Sequence, residues 1–140
     1  MVSSPADGLR DILAAYRIIA VVGLSPDPHR PSHEVSAYMQ EMGYRIVPVN
    51  PHIREVLGEV AYSSLRAIPE PVEIVDIFRR SQHVPAIVDD AIAIGAKVIW
   101  MQLGITDEAA AARAQAAGLQ VVMNTCIATT HHALRARGLL

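Results

Sequence analysis

The chain is poor in aromatic residues, at 4% of 140 positions, so the stacking platforms that hold single-stranded nucleic acid are not expected. It carries no excess of one charge. A formal net charge of −2 argues against a general binder of nucleic acid or membrane surfaces. One cysteine, Cys126, can form neither an internal disulfide nor a zinc cage, and an oxidising compartment is not indicated. The longest clean apolar run, Ile18 to Val22, is far too short to cross a bilayer. Asp7, Arg10 and Asp11 interrupt the start of the chain where a signal peptide would be apolar, so a cytoplasmic protein is the expectation. What is present is 51% hydrophobic residue, rich in Ala, Val and Ile. A chain of this length makes one domain that buries roughly two-thirds of its unfolded surface.

Short β-rich apolar runs alternate with helical patterns, which predicts an α/β fold with helices on both faces of a parallel sheet. After a helix near Ala6–Tyr16, the strands are Arg17–Val22, Tyr44–Val49, Val72–Phe78, Lys97–Met101 and Leu119–Met123. Helices are expected over Ser32–Met42, Val84–Ile94, Thr106–Ala117 with Thr106 as its cap, and within Ile127–Arg137. Gly43, Gly95 and Gly118 stop the first three of these. Between Ile53 and Leu65 the pattern is irregular. Leu57-Gly58-Glu59 is read as a tight turn, and Ser63 or Ser64 as the start of a short helix. The whole is a Rossmann-like, doubly wound, five-stranded sheet of expected strand order 3-2-1-4-5. Ligands then bind beyond the carboxyl ends of the strands, at a switch point between the first and fourth.

Function is therefore read from the loops after each strand. Gly23 follows the first strand and the loop ends at a helix, a geometry whose free N–H groups and helix dipole suit an anion. The dinucleotide pattern G-x-G-x-x-G is not met, because Ser25 replaces the second glycine and the loop is longer. Arg30 and the hydroxyls of Ser25 and Ser32 can supply what the missing glycines do not. At the end of the second strand, Asn50-Pro51-His52 stands where NAD-binding folds place a carboxylate for the ribose 2′-OH, with Arg54 just beyond. This disfavours NAD and leaves coenzyme A and NADP, both with a phosphorylated ribose, undistinguished. The third strand ends in Phe78-Arg79-Arg80; with Arg30 and Arg54 the two arginines make four cations expected on one rim. Phe78 is read equally as a platform for adenine or as a core residue.

No catalytic constellation is legible. The six histidines, His29, His33, His52, His83, His131 and His132, match no zinc motif and are read as surface residues. There is no nucleophile elbow and no phosphate loop of the G-x-x-x-x-G-K-[ST] type. Cys126 follows the fifth strand near the ligand rim, where packing is the simplest role and a mixed disulfide with a ligand thiol is the alternative.

The runs IAVVGLSPDPHRPSHEV (Ile19–Val35), Pro48-Val49-Asn50-Pro51, Val75-Asp76-Ile77-Phe78-Arg79, Trp100-Met101-Gln102-Leu103-Gly104 and Ala117-Gly118-Leu119 together resemble the small, stand-alone coenzyme A-binding domain proteins. These are similar in fold to the N-terminal domain of the succinyl-CoA synthetase α subunit. The resemblance covers about Arg17 to Cys126. It implies that Gly23, Ser25, Arg30, Pro31 and Ser32 hold the phosphates of coenzyme A. Asn50, Pro51 and Phe78 would border the adenosine, with Arg79 or Arg80 near the 3′-phosphate. Gln102, Leu103 and Gly104 would border the pantetheine arm, which runs toward Cys126. The synthetase's second domain, with its active-site histidine, has no counterpart here. The expectation is a binder of coenzyme A or acyl-CoA with no chemistry of its own, no nucleic-acid partner and no membrane partner. The alternatives are an NADP-using oxidoreductase or redox sensor, and a detached coenzyme A-binding subunit of an acyl-CoA ligase.

Overall fold

Each apolar run becomes a strand, and each intervening amphipathic stretch a helix. The computed structural model describes residues 5–140. In chain order the elements are α1 (Pro5–Ala15), β1 (Ile18–Val22), α2 (Pro31–Glu41), β2 (Arg45–Val49), β3 (Glu55–Val56), β4 (Glu59–Val60), β5 (Ile74–Ile77), α3 (Val84–Ala93), β6 (Val98–Met101), α4 (Glu108–Ala116), β7 (Gln120–Val122) and α5 (Ile127–Ala136). Single 3₁₀ turns occupy Leu65–Ala67 and Ser81–His83.

Five strands pair in parallel in the order β2-β1-β5-β6-β7. This corrects the expected order of 3-2-1-4-5. The third long strand, β5, pairs with the other edge of β1 instead of lying outside β2. Pro48 gives the physical reason for β2 at the edge: it has no N–H to offer an outer neighbour. Its carbonyl accepts only the N–H of Tyr62 in the following loop, at 2.9 Å. The switch point therefore lies between β1 and β5, not between the first and fourth strands.

The sheet is buried on both faces, so its strands are continuously apolar rather than alternating. Ala20, Val22, Val75, Ile77, Ile99 and Met101 pack with Val84, Val88 and Ala91 of α3 and Ala110 and Ala114 of α4. Ile19, Val21, Ile74, Val98 and Trp100 pack with Ile12 and Leu13 of α1, Met39 of α2, and Ile127 and Leu134 of α5. Each such buried aliphatic side chain contributes about 1.5–3 kcal/mol. Asp76 of β5 is a charged residue buried within the sheet, paired with Val21 on one side and Trp100 on the other.

Two local expectations change. Between Ile53 and Leu65 the expected tight turn is present, but it closes an antiparallel hairpin of β3 and β4. Leu57 (φ 55°) and Gly58 (φ 75°) are both left-handed, as a two-residue hairpin turn of matching twist requires. Strands of two residues carry no periodicity, so the hairpin left no signal. The cap of α4 is Asp107 rather than Thr106: its Oδ1 accepts the N–H of Ala110 at 2.9 Å. A cap reaches the N–H two or three residues on, and Thr106 stands one residue too early.

Candidate functional site

At the carboxyl ends of β1 and β5 the chain leaves for opposite faces, toward α2 on one side and α3 on the other. Diverging connections leave a crevice between them. Three hollows open along it. The first, about 430 Å³, lies beyond β1 and β2 and is bordered by Gly23, Asn50, Pro51 and Arg79. The second, about 380 Å³, is formed by the loop before α2, with Gly23, Ser25, Arg30, Pro31, Ser32 and Phe78. The third, about 460 Å³, lies toward β6 and α5. Pro31, Phe78, Arg79, Arg80, Gln102, Leu103, Gly104 and Cys126 border it. The hollows share walls: Gly23 joins the first two, Pro31 and Phe78 the last two, and Arg79 the first and third. They form one groove that crosses the sheet end, and all of the residues that the resemblance singled out line it.

The placement of individual residues adds detail that spacing did not carry. Phe78 borders the second and third hollows, not the one that holds Asn50 and Pro51. Arg54 borders none of the three; it lies in the loop before β3, so the rim has three arginines instead of four. His131 is buried, at 5% exposure, contrary to its reading as a surface residue. Its Nδ1 lies 2.9 Å from the Tyr38 hydroxyl, and burial pushes its pKa down from the ordinary imidazole value. Residues that bordered no sequence motif also line the first hollow: Ser63, Ser64, Ile87 and Asp90. Asp90 is neutralised there by Arg66, with Nε at 2.7 Å from its Oδ1.

The loop after β1 was expected to offer free backbone N–H groups. Several are already taken. Ser25 N–H donates to the Ser32 hydroxyl at 3.0 Å, Asp27 N–H to the Ser25 hydroxyl at 3.1 Å, and His29 N–H to Asp27 Oδ1 at 2.9 Å. The two serine hydroxyls act as acceptors that shape the loop, and each retains its own O–H to donate to an anion. Pro31 opens α2 with its φ pre-set, so the helix starts one residue before Ser32. Asn50 ties the loops after β1 and β2 together: its Nδ2 donates to Leu24 O at 3.0 Å while its Oδ1 accepts the N–H of His52 at 2.9 Å.

Gly23 holds the crest of the groove. Its φ is +90°, and a Cβ at this position would lie 2.9 Å from the Phe78 carbonyl oxygen and 3.0 Å from Arg79 Cδ. The close approach is built in, because Gly23 N–H bonds to Val49 O and Phe78 N–H to Val22 O, each at 2.9 Å. Gly23→Ala is expected to destabilise the fold by about 2 kcal/mol, from left-handed strain and the backbone clash together. Urea denaturation measures this; an unchanged midpoint would mean that the crest can relax.

Among the described residues, Arg10, Arg45, Arg66 and Arg113 are paired with carboxylates. Arg30, Arg79 and Arg80 make no ion pair in that set, although all three border the groove. Unpaired guanidinium groups around one crevice are a receptor for phosphate oxygens, which they meet in fork geometry. Further along, Gln102 is buried, and its Nε2 donates to Asp76 Oδ1 at 2.6 Å. Burial pushes the Asp76 carboxyl up to about 7 against the opposing effect of this hydrogen bond. The amide is thereby held with its nitrogen toward the sheet. Asn124, left-handed at φ 52°, accepts the Gly104 N–H at 2.7 Å and fixes the loop after β6. The Trp100 indole donates to Thr125 O at 2.8 Å and so sets the position of Cys126, the residue that opens α5. Among the described residues no cluster of His, Cys, Asp and Glu can hold a metal ion, and no helix is long and apolar enough to cross a membrane.

Comparison with known proteins bears on this geometry. A family model described as "CoA binding domain" matches residues 17–132. An uncharacterised protein of Bacillus subtilis, YneT, is 44% identical over 123 residues, which cover 88% of this chain and 91% of YneT. A solved structure of a hypothetical protein from Pyrococcus horikoshii superposes with a TM-score of 0.91 at 38% identity, covering 96% of this chain and 99% of that one. The α subunit of an ADP-forming acetate–CoA ligase of Pyrococcus furiosus is 40% identical over 62 residues; the match covers 44% of this chain and only 14% of the ligase subunit.

Proposed function

We propose, given that this chain belongs to the CoA binding domain family, that it binds coenzyme A or an acyl-CoA along the strand-end groove. The observation that carries this reading is the set of three arginines, without an ion pair among the described residues, on one continuous groove with three hollows. Diphosphate fits over the second hollow, against Arg30 and the Ser25 and Ser32 hydroxyls. Adenosine takes the first hollow beside Asn50 and Pro51, which brings its 3′-phosphate within the domain of Arg79. The pantetheine arm takes the third hollow, past Phe78, Gln102, Leu103 and Gly104, with the thiol toward Cys126. That hollow is suited to an arm of amides and methylenes: Phe78 and the exposed Leu103 supply apolar surface, and Gln102 supplies one oriented amide.

The protein acts as a binder, and any chemistry belongs to a partner. The Cys126 thiol is hydrogen-bonded to no base among the described residues, and no second nucleophile faces the third hollow. Calorimetry with coenzyme A, dephospho-CoA, NADP and NAD tests the assignment. Coenzyme A is expected to bind tightest and NAD weakest, because the groove offers arginines, while Asp90, the carboxylate that borders the first hollow, is already engaged by Arg66 and not free for a bare ribose diol. Equal or tighter binding of NAD would overturn it. A second reading, a coenzyme A-binding subunit of a ligase assembled from separate chains, is favoured by the match to the acetate–CoA ligase α subunit. Co-purification of a nucleotide-binding chain, with thioester formation by the mixture alone, would establish that reading.

A further inference from the structure

The third hollow does not end at Cys126. A further groove of about 350 Å³ runs from there between α2 and α5, and Val35 and Cys126 belong to both. Its floor is made by the half-buried side chains of Val35, Tyr38 and Ala128, and its rim by the exposed Glu34, Thr129 and His132. The Tyr38 hydroxyl is already engaged with His131 Nδ1 at 2.9 Å, and the two rings meet edge to face at 5.5 Å. What Tyr38 presents to the groove is therefore ring rather than unsatisfied hydroxyl. From Cys126 to His132 the groove follows about 9 Å of helix. No side chain caps α5, so its first-turn N–H groups open toward the junction at Cys126.

We propose that this groove receives the acyl chain of an acyl thioester, and that the ligand is a medium-chain aliphatic acyl-CoA rather than free coenzyme A. The inference rests on the reading that the pantetheine arm lies in the third hollow. With the sulfur beside Cys126, an acyl group carried on it extends past Val35 into the groove. The thioester carbonyl then lies at the uncapped start of α5, where N–H donors can meet its oxygen. The apolar floor takes an alkyl chain, and Glu34 on the rim opposes an acyl group that ends in a carboxylate. The groove is open on one side, so a methylene is about half buried and gains about twofold in affinity instead of the fourfold of full burial.

Calorimetry with coenzyme A, acetyl-CoA and hexanoyl-CoA, on the wild-type chain and on Thr129→Trp, decides the matter. Hexanoyl-CoA, four methylenes longer, is expected to bind about fifteenfold tighter than acetyl-CoA. Thr129→Trp, which overhangs the groove from an exposed helical position, is expected to remove that gain and leave coenzyme A affinity unchanged. Ala128→Phe, which fills the floor, serves as the second variant if the first is poorly folded. Equal affinities across the chain-length series, or a hexanoyl gain that survives both variants, would overturn the proposal while binding of coenzyme A itself stands. If coenzyme A fails to bind at all, the underlying assignment of the third hollow is what fails.

Discussion

Replacing Arg30 and Arg79 together by alanine is expected to weaken coenzyme A binding by at least a hundredfold and to leave the fold intact. Each guanidinium that meets a phosphate oxygen contributes about 1.5–3 kcal/mol, the range for hydrogen bonds to charged groups, and the pair together exceeds the roughly 2.7 kcal/mol of a hundredfold change. The two side chains flank Gly23 from different loops: Arg30 borders the second hollow, and Arg79 the first and third. They do not replace one another, so each single variant is expected to lose about tenfold or more. Both residues are exposed and neither makes an ion pair among the described residues, which limits the stability change to about 0.5 kcal/mol. Wild-type binding should also weaken as salt is raised, and the double variant should show little of that dependence. Calorimetry at two ionic strengths measures all of this. Retention of wild-type affinity by the double variant would make the arginines a solvated face and would remove the argument for a phosphate ligand.

Asp76→Asn is expected to stabilise the protein by roughly 2–4 kcal/mol at pH 8.5, with the gain shrinking as pH falls toward 4. Asp76 is 1% exposed, its register neighbours in the sheet are Val21 and Trp100, and its side-chain partner is the neutral amide of Gln102. Burial raises its pKa from the ordinary 3.8 to about 7. Below pH 3.8 the carboxyl is neutral in both the folded and unfolded chains. Between about 4 and 7 the unfolded chain releases the proton while the folded chain keeps it, so stability falls as pH rises. Asparagine keeps an acceptor for Gln102 and cannot ionise, so this slope disappears. His131 has the opposite sign: its lowered pKa removes stability as pH falls below the ordinary imidazole range, in wild type and variant alike. The difference between the two proteins at each pH therefore isolates Asp76. Urea denaturation at pH 5 and 8.5 measures it, and a variant less stable than wild type at pH 8.5 would show that the carboxylate is compensated within the fold. Asp76 thus costs stability at neutral pH while it orients the amide of Gln102 at the groove.

The sequence by itself determined the long strands and helices and the end of the sheet at which the groove lies. Short apolar runs such as Ile18–Val22 can be buried on both faces only as central strands, and glycines at 43, 95 and 118 end the helices where the left-handed conformation is needed. The residues of the groove were legible because, in a parallel sheet, the loops after the strands all emerge at one end; Gly23, Asn50, Phe78, Gln102 and Cys126 are brought together by that alone. The strand order expected from the sequence, 3-2-1-4-5, was wrong, since the apolar runs of β2 and β5 do not say which edge of β1 each one takes. Pro48 was the one local sign, through its missing N–H, that β2 belongs at the edge. Only the tertiary structure decided what each polar group meets. Asp76 and Arg54 look alike in a sequence, as charges near strand ends. The first is locked under the groove on Gln102, and the second lies outside it. Likewise the Ser25 and Ser32 hydroxyls are spent partly on the loop's own N–H groups, and His131 lies under Tyr38. Backbone periodicity is a local property and survives in the sequence. The burial and pairing of a polar side chain depend on which distant segment packs over it, and that is settled only when the sheet is assembled.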